Sequence, residues 1–396
     1  MTVRTEERTS GAGAATRPVD DAERLAALAI QAIQGIGATY AKRLVDEAGS
    51  FRAVFEAGGD LAERAGVPHA YAARISANRD KAFERAEKQL TSARAAGMMV
   101  RVLTEPGYPG QLREIPDPPP ALYIYGEAIP SDDLAIGIVG TRKATQTGLA
   151  MAEELARELA ASGITVVSGL ALGVDAAAHK GALDTDGGRT IAVLGTGADV
   201  CYPPGNRNLY DRIIKSNCGA VVSEFSPGTK PEAFHFPIRN RIISGLSLGV
   251  VVVEAPERSG ALITARVAIE QGREVFAIPH SARSGAGAGT NRLIREGAHL
   301  VERVEDILSV IDYQARLLAA RHAKRARAPS TQIAATGPGA SAIFELIRDG
   351  VHNMDDLVAR SGQAVSAVLA ELTRLELDGR IRRTAVSTFQ TAGRTA

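Results

Sequence analysis

The period of the apolar residues changes along the chain, and those changes divide it. From Ala22 to Ala96 the spacing is helical: Leu25, Leu28, Ala29 and Ala32 fall at i, i+3, i+4 and i+7. Gly35-Ile36-Gly37 interrupts that helix, and Tyr40, Leu44 and Val45 begin another. Residues 21–97 therefore read as a small helical domain. Residues 1–20, with no apolar period, read as a disordered tail. Met98 to Thr104 has strand character, and the prolines at 106, 109, 116, 118, 119 and 120 predict an extended connector over 98–133. From Leu134 a different regime begins. Continuous Val/Ile/Leu runs at Ala135–Val139, Thr165–Val167, Thr190–Leu194, Ala220–Ser223, Val250–Val253 and Glu274–Ile278 alternate with amphipathic stretches. That alternation predicts a parallel sheet covered by helices on both faces, over residues 134–311. Residues 312–340 read as a helix end followed by a basic, then Pro/Ser/Thr/Gly-rich linker. Ile343, Leu346, Leu357, Leu372 and Leu375 mark a last small module at 341–396.

Composition narrows the function classes. Apolar residues make up 45% of the 396 and charged residues 23%, which suits a folded chain. No apolar run is long enough to span a membrane, and residues 1–20 lack the apolar segment of a signal peptide. Two cysteines, Cys201 and Cys218, are too few for a disulfide framework or a zinc cluster, so a reducing cytoplasm is expected. The balance of 46 basic against 45 acidic residues excludes a histone-like polycation. It leaves room for a local basic groove, because nucleic-acid contact depends on how charge is distributed.

In a doubly wound sheet the ligand sits beyond the carboxyl ends of the strands, so the residues after each run are the informative ones. They are Gly140-Thr141-Arg142-Lys143, then Ser168-Gly169-Leu170-Ala171, then Tyr202-Pro203-Pro204-Gly205-Asn206-Arg207. Phe236-Pro237-Ile238-Arg239-Asn240-Arg241 and Ser259-Gly260 follow the later strands. Glycine lets backbone N–H groups approach an anion, helix N-termini add a favourable dipole, and arginine adds bidentate phosphate contacts. The absence of GxGxxG and of an acid after the second strand disfavours a dinucleotide, and the absence of GxxxxGK[ST] disfavours a P-loop. Asp175 and His179, four apart on one helix face, read as a capping acid and a packed histidine rather than an acid–base pair. Arg142, Lys143, Arg207, Arg239 and Arg241 along one edge suit a strand of phosphates better than a single nucleotide. Phe234, Phe236 and Tyr202 serve either as core or as base platforms. No catalytic residue, metal or cofactor is expected.

These residues resemble the DNA processing protein A (DprA/Smf) family. The resemblance runs through GIVGTRKATQTG, VVSGLALGVDAAAHKGAL, TIAVLGTGADVCYPPGNRNL, FHFPIRNRIISG and GTNRLIREGAHLV. It implies an α/β protein with an extended Rossmann-like parallel sheet. An N-terminal helical domain (helix-hairpin-helix/SAM-like) and a C-terminal winged-helix-like domain would flank it. The function implied is non-enzymatic: binding and protection of incoming single-stranded DNA, and loading of RecA recombinase during natural transformation. The DNA-binding residues implied are Gly140, Thr141, Arg142, Ser168, Gly169, Asn206, Arg207, Arg239, Asn240 and Arg241. A homodimer is also implied, with Leu293, Ile294 and Leu300 at its interface.

The chain departs from the family pattern at three places. Pro204 stands where relatives often carry Lys, His280 stands in a usual Pro-Gly-Ser, and Thr388-Phe389-Gln390 replaces a terminal Gly-Gly-x-Tyr, so the resemblance stops short of the wing. The rival functions are a nucleotide-binding sensor and a nucleoside-monophosphate hydrolase of the related Rossmann superfamily. The hydrolase requires PGGxGTxxE, and residues 258–266 lack its glutamate.

Overall fold

The computed structural model describes residues 21–57, 60–127, 130–215 and 218–312. From the C-terminal part it describes 342–348, 351, 354–361, 372, 375, 381–385 and 388–391. The tail expected at 1–20 and the linker expected after Asp312 lie outside the described residues. The chain divides into two compact units, residues 1–326 and 327–396.

The first unit opens with five helices, α1 (Asp21–Ala32), α2 (Ala38–Ala48), α3 (Phe51–Glu56), α4 (Leu61–Arg64) and α5 (His69–Ala95). Then come β1 (Met99–Val102), a short α6 (Gly110–Arg113) and β2 (Ala121–Gly126). Strands and helices alternate from there: β3 (Ala135–Val139), α7 (Gln146–Ala161), β4 (Thr165–Ser168), α8 (Val174–Leu183), β5 (Thr190–Val193), α9 (Arg207–Lys215) and β6 (Gly219–Ser223). The series closes with α10 (His235–Gly245), β7 (Gly249–Val252), α11 (Gly260–Glu270), β8 (Glu274–Ala277), α12 (Ala288–Arg295) and β9 (His299–Leu300). Side chains cap several helix starts: Ser50 accepts from the Ala53 amide, Thr145 from Gly148 and Ser259 from Ala261.

The strands form one nine-stranded sheet in the order β1-β2-β6-β5-β4-β3-β7-β8-β9. From β3 to β6 the chain steps outward in one direction; it then returns to lay β7 against the other side of β3. That reversal between β3 and β7 creates the crevice where doubly wound sheets bind ligands. Both faces of the parallel strands are covered. Ala135, Val139, Val250 and Val252 pack into one apolar cluster, and Ile136, Ile138, Val251 and Val253 into the other.

Two expectations change. Residues 98–133 are not a connector outside the sheet: β1 and β2 extend it, antiparallel, with Tyr123 opposite Ser223. The prolines do form an irregular run, tied down where the buried Tyr108 hydroxyl donates to the Pro119 carbonyl at 2.8 Å. Nor do α1–α5 pack as an isolated body. Leu28, Ile30 and Phe51 share one apolar cluster with Val102, Tyr123 and Val222. Gln31 pins α1 to the sheet, donating to the Glu224 carbonyl at 2.6 Å and accepting from the Ala121 amide at 2.8 Å.

In the second unit, helices Ala342–Arg348 and Met354–Ser361 accompany an antiparallel pair, Ile381–Ala385 with Thr388–Thr391. Ile343, Ile347, Leu357, Leu372, Leu375 and Ile381 form its core. The hairpin corrects the expectation about the wing: a Thr-Phe-Gln-Thr strand pairs through its backbone without the Gly-Gly-x-Tyr motif.

One buried carboxylate joins the helices to β1. Glu23 accepts from the amides of Phe51 at 2.8 Å and Arg52 at 3.1 Å, and from the Thr104 hydroxyl at 2.8 Å. Glu23→Ala removes the acceptor these donors share and is expected to cost about 2–4 kcal/mol. A shift in urea midpoint at unchanged m-value checks this; an unshifted midpoint would contradict it.

Candidate nucleic-acid interface

A cavity of about 700 Å3 opens at the β3/β7 crevice. The loop after β3 (Gly140, Thr141, Arg142, Lys143) forms one wall, and the loop after β7 with the start of α11 (Arg258, Ser259, Ile263) forms the other. Phe236, Arg239 and Asn240 of α10, with Tyr202, complete the lining.

The β3–α7 loop is fixed from below. Its Thr141 amide donates to the Glu254 carbonyl at 2.7 Å, and the Thr145 hydroxyl donates to the buried Glu254 carboxylate at 2.7 Å. Gly140 packs directly on Val174, where a Cβ would come within 2.5 Å of that side chain. Arg142 projects into solvent, its guanidinium 5.5 Å from the centre of the Phe236 ring, which lies 5.5 Å from that of Tyr202. Lys143 and Arg258 are also exposed. Among the described residues none of these three cations makes an ion pair.

The predicted residues divide into those that face the cavity and those that build it. Gly140, Thr141, Arg142 and Asn240 line it. Ser168 is fully buried and donates to the Ile138 carbonyl at 2.6 Å, and the Gly169 amide donates to Asp175 at 3.1 Å, so neither offers a donor to a ligand. Gly169 serves instead by lacking a side chain: a Cβ there would lie 1.9 Å from the Arg239 guanidinium. Asn206 grips the neighbouring loop, donating to the carbonyls of Leu170 at 2.9 Å and Ala171 at 3.2 Å. Arg207 pairs with Asp211 at 3.1 Å and does not border this cavity. Arg241 is buried and paired with Glu224 at 2.6 Å and Asp117 at 3.2 Å. Its expected role as a phosphate contact gives way to a structural ion pair.

Arg239 is only 4% exposed, at the cavity floor, and donates to the Val193 carbonyl at 2.6 Å. Burial lowers its pKa to about 10, against the favourable pull of Asp175, so it stays charged at neutral pH. Burial also raises the Asp175 carboxyl above its ordinary value, despite Arg239 and the two amides that Asp175 accepts from. The floor therefore holds a buried, charged guanidinium with the Asp175 carboxyl beside it. Arg258 and Ile263 were not anticipated. Their available signal was position, since both follow the strand that flanks the reversal.

Of the expected dimer residues, Leu293 is buried within the unit and Ile294 packs partly on its core. Leu300 is 47% exposed on the edge strand β9. Among the described residues no helix is long and apolar enough to cross a membrane, and no cluster of three metal-ligating side chains exists.

The fold and cavity define a doubly wound α/β protein with a basic trough at its switch point. The chain belongs to the DNA recombination-mediator protein A family, whose model matches residues 99–312; the DprA winged helix domain matches residues 327–385. The DNA processing protein DprA of Streptococcus pneumoniae R6 is 46% identical over 206 residues, covering 52% of this chain and 72% of that one. Protein Smf of Escherichia coli K12 is 40% identical over 273 residues, covering 69% and 72%. Protein Smf of Synechocystis is 46% identical over 209 residues, and the match spans about half of each chain (52% and 52%). The X-ray structure of DNA processing protein A from Streptococcus pneumoniae superposes with a TM-score of 0.59 at 35% identity, covering 73% of this chain and 97% of that one.

His179 makes the region sensitive to acid. It is fully buried on α8, with Nδ1 2.7 Å from the Thr190 hydroxyl, which itself donates to the Val166 carbonyl; Nδ1 must therefore carry the proton. Burial lowers its pKa from 6.5 to about 3. The unfolded chain binds a proton below 6.5 and the folded chain does not, so this contribution to stability is full above 6.5 and is lost as pH falls towards 3. From pH 7 to pH 5 the loss is about 2 kcal/mol. His179→Gln should lack that component, read as the difference between the two proteins' urea-unfolding free energies at the two pH values; parallel pH dependences would refute it.

Proposed function

We propose that this chain binds single-stranded DNA along the switch-point trough, without strong sequence preference and without enzymatic turnover. The observation that carries the reading is the exposed trio Arg142, Lys143 and Arg258 around a cavity floored by buried, charged Arg239. Phosphates carry no base identity, so cations set to meet them bind many sequences alike. Phe236 and Tyr202 offer ring faces beside Arg142, which suits bases of any kind. The nearby carboxylates support binding over catalysis: Asp175 is occupied by backbone amides, and Glu254 by Thr145.

In the cell the protein would act in the cytoplasm, covering the strand and delivering it to RecA recombinase. That part of the proposal rests on the family resemblance. Cys201 and Cys218, neither of them in a disulfide among the described residues, are compatible with such a compartment. We also propose a homodimer through the β9 edge, supported by exposed Leu300 and the open side of that strand. Leu293 would contribute only to the monomer core. Light scattering at micromolar concentration should give twice the chain mass, and Leu300→Glu should shift it towards the monomer. A monomeric wild type would rule the dimer out.

Two arginine variants test the DNA reading. Arg142→Ala should weaken binding to oligothymidylate and oligoadenylate alike and reduce the log–log salt slope by about 0.7, the share of one phosphate on a single strand. Its melting temperature should not move. Arg241→Ala should do the opposite, taking from the largely covered Glu224 carboxylate its partner guanidinium, costing about 3 kcal/mol and keeping the salt slope. If Arg142→Ala leaves affinity and slope unchanged, the trough is not the DNA site.

A further inference from the structure

On the far side of the Arg142–Lys143 loop lies a second hollow, about 560 Å3, between α7, α8 and the start of α9. Arg142, Lys143, Lys180 and Arg212 line it with one acid, Glu153, and its apolar lining includes Leu149, Leu172 and Leu209. A narrow cleft of about 70 Å3 lies between the two cavities. It shares Tyr202, Phe236 and Arg239 with the first, Leu172 with the second, and Arg142 with both. We propose that this hollow is a second subsite for single-stranded DNA, taking the nucleotides that continue from the first cavity over Arg142 and Leu172. The inference rests on the DNA reading above.

The cations of the hollow are available. Lys180 pairs with Glu153 at 3.1 Å and Arg212 with Asp184 at 2.7 Å, each at half-exposed positions. Surface pairs of this kind contribute about 0–1 kcal/mol, so turning either cation towards a phosphate costs little. Lys143 makes no ion pair among the described residues.

Leu172 is held out deliberately. It is 48% exposed, whereas Leu170, two residues earlier, is fully buried in a left-handed conformation (φ 53°). A non-glycine residue adopts that conformation only when its surroundings enforce it. Here they do so from both sides. Asn206 takes the Leu170 and Ala171 carbonyls, and Asp175 takes the Gly169 and Ala171 amides. The loop is thus rigid, and its exposed leucine gives a base an apolar face at the saddle between two sets of cations.

The test uses the full chain and oligothymidylates of increasing length. The variant Lys180→Ala/Arg212→Ala changes no residue lining the first cavity. It should bind the shortest oligomers as wild type does, lose the affinity that wild type gains on longer ones, and show a salt slope on long oligomers lower by about 1.4, two phosphates at 0.7 each. Leu172→Glu, at a half-exposed position, should show the same length-dependent loss and carries the test if the double variant does not fold. Wild-type length dependence and slope in both variants would overturn the second subsite while leaving the first intact. Equal loss on short and long oligomers would overturn it as a separate subsite. Failure of the wild type to bind any oligomer would sink the DNA reading itself.

Discussion

The buried carboxylate of Glu254 holds together the point where the sheet changes direction. It follows β7, yet its carbonyl and carboxylate are spent on the loop after β3, through Thr141 and Thr145. Gly148 is what makes room, since a Cβ there would lie 2.2 Å from the carboxylate. The paired strands β3 and β7 are thereby tied together beyond their carboxyl ends, and the loop bearing Arg142 and Lys143 is anchored at Thr141 and Thr145. His280, one of the positions noted above, reaches within 3.9 Å of the same carboxylate. The oxygens of this carboxylate are thereby committed to backbone and hydroxyl donors of the loop beside the trough.

The same logic recurs one layer out. Asp175 and Asn206 hold neighbouring loops by hydrogen bonds, and Gly169 leaves room for the Arg239 guanidinium. Arg239 differs from the rim cations in kind. Burial makes it a permanent part of the local potential, whereas Arg142, Lys143 and Arg258 stand exposed to solvent ions. On the proposed reading the rim cations would set how binding responds to salt, and Arg239 where the anion rests.

Much of this was legible in the sequence, and the parts that were not have physical reasons. Runs such as AIGIV and GVVV announced buried parallel strands because both faces are covered. β2 went unread because three prolines precede it and because its partners, β1 and β6, are distant in sequence. Among the arginines, position after a strand placed Arg142 in the trough, but it could not separate facing from supporting residues. For Arg239 a signal was present: His235, Arg239, Ile242 and Ile243 fall on one helix face, and all are buried. For Arg241 there was none, since Asp117 and Glu224 meet it only through the tertiary fold.

The distribution of charge also accounts for a trough in place of a closed nucleotide pocket. A mononucleotide site concentrates its donors at one glycine-rich turn and adds an acid for the ribose. Here the turn after β3 spends the Thr141 and Thr145 amides on Glu254 and the Lys143 amide on the Thr141 hydroxyl, so fewer backbone donors are left to enclose a pyrophosphate. What remains exposed are long side chains on opposite walls, which reach outwards to charges spaced along a chain. Such an arrangement gains with each phosphate added and gives a single nucleotide only a fraction of the available contacts. A backbone committed to holding loops and a rim left to flexible cations therefore favour a polymer over its monomer.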